Sequence, residues 1–583
     1  MTLRRWSSAL AAAALLAVPA LAVAAEPKAP PKLVVVISVD QFSANLYEQY
    51  RGRFTGGLRQ MSDQGLIYGN GYQSHMGTET CPGHSTILTG KHPNKTGIPA
   101  NDWLDPVTGK EVYCFEDKAN TLADPLGGGN GPVGPANMTA TTLGDWMKAT
   151  TPGMRIFGVS GKDRGAIALS GHKADGVFWW RDGFGFTTWV EPGQDAAARL
   201  APVAPLNAEL KARFAATPPV WTYQKDECRA LEGDYVVAGE TWRTTVPPVK
   251  YSFETSPFLD EVTVEAALRL LSDQKLGAGD TTDILAISLS ATDKIGHGFG
   301  TQGPEMCEQM FRLDTALGTL FDALKDVPGG VVVVLTADHG GSDFPERLAM
   351  RGYPDARRVD FGILARTNAA LKVRFKLDVD PIAYDGSGFN IVGKDKVRLA
   401  QPLRGQVARA AVDLLDGEPD VAAAFTLEDL LATPNPPPGT PPELFTLKQR
   451  AALSAVAGRS PDVLVILKSG VFPLRGKVGG AISTHGSAWD YDRRVPILFW
   501  WPGSTGQERM LSIDTTDIAP TLAHLVGVEP PADVDGRCID LGGFTVAACP
   551  VRPVAVTAPT IAPEPAEPAP SKGFRWPWQK KEG

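Results

Sequence analysis

The chain has 583 residues, 43% hydrophobic and 21% charged. That is close to the ordinary globular mixture and excludes wholesale disorder and collagen-like or coiled-coil architecture. Lysine and arginine number 57 against 65 aspartate and glutamate, a formal charge of −8, so there is no global basic excess for a nucleic-acid partner.

At about 150 residues per domain the length suggests about four domains, but one α/β core with long insertions defeats that prior. One core plus insertions is the expectation. At the N-terminus, Arg4 and Arg5 precede an apolar run from Ala9 to Val23 that Pro19 interrupts. The run is too short and too poorly flanked for a spanning helix, and Ala22, Ala24 and Ala25 suit signal-peptidase cleavage. Residues 1–25 therefore read as a signal peptide, giving a periplasmic or secreted protein; an uncleaved anchor is the alternative.

Beyond the signal, short apolar β-branched runs alternate with helix-period stretches, the pattern of an α/β protein with a mostly parallel sheet flanked by helices. Predicted strands are Leu33 to Val39, Arg155 to Ser160, Asp283 to Leu289, Gly330 to Thr336, Asp462 to Leu467 and Val495 to Trp500. Predicted helices are Val262 to Gln274, Pro304 to Lys325, Gly405 to Leu415, Leu447 to Ala455 and Thr515 to Val526. The alternation breaks at about 166–255, rich in Trp, Phe, Gly and Pro, and at about 372–458, which carries a Pro-rich stretch. Both read as insertions in a catalytic domain spanning 26–550, and long ordered insertions often shape enzyme sites.

The tail, 551–583, is Pro/Ala-rich and ends in a basic aromatic cluster, Phe574 to Lys581. A solvated end is favoured there over membrane contact. The six cysteines form an even set without a CxxC or CxxxC pair, compatible with disulfides in an exported protein. Cys538 and Cys549, close in sequence, are the favoured pair.

The chemistry gathers at strand ends. Asp40 follows Leu33 to Val39, Asp338-His339 follows Gly330 to Thr336, and Asp293 lies just beyond Asp283 to Leu289, with His297 four residues on. Carboxyl ends of strands in open α/β sheets are where sites assemble, and an i,i+4 pair shares one helix face. His485 adds a further imidazole in a Gly-rich segment. Carboxylate plus imidazole suits zinc better than magnesium or calcium. Each residue alone reads equally well as a cap or a packed histidine; the combination in a chain of eight histidines favours metal. Thr80, opening the helix-like segment Thr80 to Thr89, is a candidate nucleophile and metal ligand near backbone N–H groups.

The motifs SVDQF, TETCPGHSTILTG, GIPANDW, SGKDRGA, SATDKIGHGFG, LTADHGG and STHGSAWDYDRRVP run in order from about residue 33 to 500. In them the chain resembles the alkaline phosphatase superfamily, and within it the exported, phosphate-irrepressible (PafA-type) alkaline phosphatases with a threonine nucleophile. The resemblance implies two Zn²⁺ ions about 4 Å apart, one held by Asp293, His297 and His485, the other by Asp40, Asp338, His339 and the Thr80 oxygen. It implies attack by Thr80, a covalent phosphothreonine and its hydrolysis, in a broad-specificity monomer acting on small phosphate monoesters. Lys162, Arg164 and Asn101 would bind the phosphoryl group.

Charge separates monoester from diester. Two zincs are balanced by three aspartates and a Thr80 alkoxide, so a dianionic monoester needs further positive contacts, which Lys162 and Arg164 supply while Asn101 donates an N–H. Threonine-nucleophile diesterases resemble the chain in the metal motifs but lack this Lys-x-Arg pair. A phosphodiesterase or nucleotide pyrophosphatase is the alternative enzyme, and a non-catalytic zinc and phosphate-binding envelope protein the alternative of another class. A sulfatase is disfavoured because Cys81 is followed directly by Pro82 with no nearby Arg. A cofactor-independent phosphoglycerate mutase would carry a serine nucleophile and a cytosolic address.

Overall fold

The computed structural model describes residues 28–550, so the expected signal peptide and the tail lie outside the described residues. Ten strands form the main sheet: β1 (Leu33–Val39), β2 (Leu66–Tyr72), β3 (Ile156–Ser160), β4 (Gly176–Arg181), β5 (Gly185–Thr187), β6 (Asp283–Leu289), β7 (Val331–Thr336), β8 (Arg494–Trp500), β9 (Gln507–Glu508) and β10 (Ile513–Asp514). Their order is β9-β2-β8-β7-β1-β6-β3-β4-β5, with β10 also paired to β2. The run β7-β1-β6-β3-β4 is parallel throughout.

Every residue of β1, β6 and β7 is buried, as their unbroken apolar runs require of strands covered on both faces. Alternate β1 side chains serve different layers: Leu33, Val35, Ile37 and Val39 enter one core, Val34 and Val36 the other. The first core takes residues from α3 (Phe258–Asp273), α4 (Ala291–Phe299) and α5 (Pro304–Leu324). The opposite core takes residues from α1 (Thr80–Thr89), α2 (Asp163–Ser170) and α6 (Ile518–Leu525). The result is the expected architecture, a mostly parallel sheet between helices.

Two predicted strands form with a different placement. β8 runs antiparallel to both β7 and β2, because a continuous apolar run does not encode direction. Val463–Leu467 joins a separate four-stranded antiparallel sheet with Ile382–Tyr384, Gly388–Ile391 and Val421–Thr426. The aromatic run Phe178-Trp179-Trp180 is buried in β4, where Trp180 stacks on Phe253 with centroids 4.9 Å apart. Three disulfides close the chain, Cys81–Cys114, Cys228–Cys307 and the expected Cys538–Cys549. No helix among the described residues is long and apolar enough to cross a membrane.

Candidate active site

Four parallel strands deliver side chains to one crevice at their carboxyl ends: β1 Asp40, β3 Lys162 and Arg164, β6 Asp293 and β7 Asp338-His339. α1 closes the crevice with Thr80 at its first position, buried. Gly83 lets α1 lie backbone to backbone against Asp338, since a Cβ there would collide with the Asp338 carbonyl. Gln73 joins the same elements, its amide donating to Gly83 O at 3.2 Å and Ala337 O at 3.1 Å. Asp293 rides the first turn of α4, whose Ala291 N–H is capped by buried Asp260 at 2.9 Å.

The predicted ligands meet in two groups. Asp293 Oδ1, His297 Nε2 and His485 Nε2 are mutually 3.1–3.3 Å apart. His339 Nε2 lies 3.4 Å from both Asp40 Oδ1 and Asp338 Oδ2. Backbone carbonyls stand 2.8–2.9 Å from the Nδ1 atoms of His297 (Ser483), His485 (Thr78) and His339 (Gly340), which places the proton on Nδ1 and leaves each Nε2 a lone pair.

Two imidazole lone pairs facing each other at 3.1 Å repel unless a cation lies between them. The separations also match the edge of a tetrahedron with ligands about 2.0–2.1 Å from its centre. Asp40 Oδ1, Asp293 Oδ1 and His339 Nε2 are buried without a hydrogen-bond partner, which in a folded protein calls for an explanation such as an ion. The donor set therefore fits metal. His339 stacks on His485, with centroids 3.7 Å apart, so its Nε2 also lies within 4.8 Å of Asp293 and His485 ligand atoms. The shorter contacts assign it to Asp40 and Asp338.

Lys162 stands between the groups, its Nζ 2.5 Å from Asp40 Oδ2 and 2.6 Å from Asp293 Oδ2. Tyr113 holds the neighbouring segment, its hydroxyl donating to Asp163 at 2.8 Å, while Asn130 donates to both Asp163 oxygens. Asn101 accepts the Cys81 N–H through Oδ1 at 2.8 Å, and its own N–H donates to Glu79 at 2.8 Å.

Without a cation, crowding among these donors shifts their protonation in opposite directions. Burial, reinforced by Asp293 and Asp338, pushes the Asp40 carboxyl well up, against the pull of Lys162. Burial works in the same direction on Asp293, but Lys162 and His297 outweigh it and hold that carboxyl well down. Burial holds the His339 imidazole down at about 3. At His485 burial is overcome by Asp293, which raises it to about 9 while no cation is bound; a cation seated beside Asp293 would take the place of that Nε2 proton. Lys162 resists burial through Asp293 and Asp40, which raise it.

All ten predicted site residues belong to this crevice and its walls. His84, close to Thr80 in sequence, reads from the sequence as a packed or hydrogen-bonded structural histidine, and the structure bears this out and supplies the partners that sequence did not name. Fully buried, His84 Nδ1 lies 2.9 Å from Thr80 O and 3.0 Å from Asp338 Oδ2, with Nε2 2.9 Å from Ser288 Oγ. It couples the threonine to a metal-type carboxylate. The signal was its i,i+4 spacing from Thr80. Tyr113 and Asp163 were missed, being joined only by the fold.

Residues 34–488 match the family described as type I phosphodiesterase / nucleotide pyrophosphatase. The chain belongs to this family, part of the alkaline phosphatase superfamily. It is 39% identical over 529 residues to alkaline phosphatase PhoK of a Sphingomonas species, covering 88% of this chain and 91% of that one. Identity is also 39% over 533 residues to alkaline phosphatase PhoD of Zymomonas mobilis, covering 89% and 90%. The crystal structure of alkaline phosphatase PafA superposes with a TM-score of 0.74 at 26% identity, over 88% of this chain and 99% of that one. The PafA-type resemblance read from the motifs stands on these matches.

Proposed function

We infer that this protein is an alkaline phosphatase, hydrolysing small phosphate monoesters with two zinc ions and a covalent phosphothreonine at Thr80. The observation that carries the reading is the convergence of a helix-start threonine, two groups of carboxylate and imidazole donors and a Lys-x-Arg pair in one buried crevice. The names of PhoK, PhoD and PafA support alkaline phosphatase activity.

Asp293, His297 and His485 would hold one ion, and Asp40, Asp338 and His339 with the Thr80 oxygen the other. When bound, such ions supply Lewis acidity to the attacking and leaving oxygens of an in-line displacement. Thr80 Oγ1 forms a bond to phosphorus as the bond from phosphorus to the ester oxygen breaks, and the departing alcohol takes up a proton. Water then attacks the phosphothreonine, releasing inorganic phosphate and restoring the Thr80 hydroxyl. Lys162, between the two donor groups, and Arg164 meet the dianion's oxygens, with Asn101 donating an amide N–H. His84 holds Thr80 and Asp338 in register.

The family's diesterase members keep a second reading alive, phosphodiesterase or nucleotide pyrophosphatase. Lys162 and Arg164 favour monoesters because only a monoester presents the additional charge. The three disulfides support export to an oxidising compartment. Acid quenching during turnover of a radiolabelled monoester, followed by peptide mapping, tests the mechanism. Label on the peptide containing Thr80, absent in Thr80→Ala, is expected; a turnover-competent enzyme without label contradicts the covalent step.

A further inference from the structure

Beside the crevice lies a cavity of about 230 Å³ between the main core and the four-stranded sheet. Its near wall is the strip that builds the candidate site: Gly77 and Glu79 precede Thr80, and Thr484 to Gly486 carry His485. Its far wall is apolar and largely aromatic, formed by Phe361, Leu364, Tyr384, Phe389, Leu464 and Phe472. One cavity thus touches both the segment of the candidate nucleophile and a metal-type histidine, and runs from there into an aromatic chamber.

The charged groups on the lining are already engaged. Glu79 accepts the Asn101 N–H, Asp492 accepts the Ser487 N–H at 2.8 Å, and Asp360 pairs with Arg366 at 2.7 Å. Arg475 lies over the Phe361 ring at 4.3 Å. Three carboxylates against one guanidinium disfavour an additional anionic group, and flat aromatic walls favour a flat apolar one.

We propose that this cavity is the leaving-group subsite of the enzyme and takes the uncharged aryl group of an aryl phosphate monoester, its phosphoryl end at Thr80. The proposal rests on the monoesterase reading and names the substrate class within it. It gives the sheet and helix of residues 362–467 a role, since they supply most of the far wall.

The test compares kcat/KM for 2-naphthyl phosphate and phenyl phosphate on the metal-loaded enzyme. Their leaving groups are close in acidity, so their ratio reports burial of the second ring and cancels losses common to both. The wild type is expected to favour the naphthyl ester by about tenfold. Filling the cavity with Leu364→Trp, or removing a wall with Phe472→Ala, should bring the ratio toward one. A wild-type ratio near one, or a ratio unmoved by both variants, overturns the subsite while leaving the phosphatase reading intact. Absence of turnover of either ester overturns both.

Discussion

Asn101 holds the backbone N–H of Cys81 on its side-chain oxygen at 2.8 Å, one residue past the candidate nucleophile Thr80. The bond caps an early amide of α1 from outside the helix and fixes which way the Asn101 amide turns. With Oδ1 committed, only the NH₂ end remains for an anion. The Cys81–Cys114 disulfide ties the same helix start to the strand bearing Tyr113, so phosphate contacts and nucleophile share one braced unit.

Asn101→Asp keeps the acceptor for Cys81 but removes the donor and adds charge against a dianion. We expect kcat/KM for a monoester to fall about 100-fold or more, with thermal stability close to wild type. A variant retaining full activity would remove Asn101 from the phosphate contacts.

Replacing Arg164 or Lys162 by alanine should lower monoester kcat/KM about 10- to 100-fold each, while diester hydrolysis falls far less. Lys162 also separates Asp40 from Asp293, so its loss brings two buried carboxylates into opposition and should weaken the fold as well. Equal losses on both ester classes would count against reading these cations as sensors of substrate charge.

Chelation followed by dialysis should abolish activity and lower the melting temperature, because the buried carboxylates of Asp40, Asp293 and Asp338 lose the cations that offset their charge. Zinc should restore both properties. Restoration by magnesium alone would overturn the zinc assignment.

Away from the crevice, His92 lies between Asp535 at 3.1 Å and Asp514 at 3.5 Å. Burial opposes its charge, but the two carboxylates prevail and raise it to about 10. Because the folded-state value exceeds the unfolded one, this ion pair's stability is complete below about pH 6.5 and is lost progressively up to about pH 10. His92→Gln should cost on the order of 3 kcal/mol near pH 6 and flatten the decline of melting temperature above pH 7. An identical decline in wild type and variant would show that His92 carries no such charge.

The central strands and the donor residues were legible because both obey local rules: unbroken β-branched runs mark strands buried on both faces, and acidic strand ends mark a crevice. Asp293 and His297 needed only helical spacing. Strand direction and sheet membership were not legible, since β8 and Val463–Leu467 look alike in sequence yet enter different sheets. The contacts of His84 with Asp338 and of Tyr113 with Asp163 join residues far apart in the chain, where composition carries no signal. The Cys81–Cys114 and Cys228–Cys307 disulfides were hidden for the same reason, whereas Cys538 and Cys549 were near neighbours.

The most direct test of the monoesterase reading is the ratio of kcat/KM for an aryl phosphate monoester to that for the matching diester, on the zinc-loaded protein at mildly alkaline pH. Lys162 and Arg164 beside two metal groups predict a ratio well above one. A ratio below one would contradict the account and make the protein a phosphodiesterase.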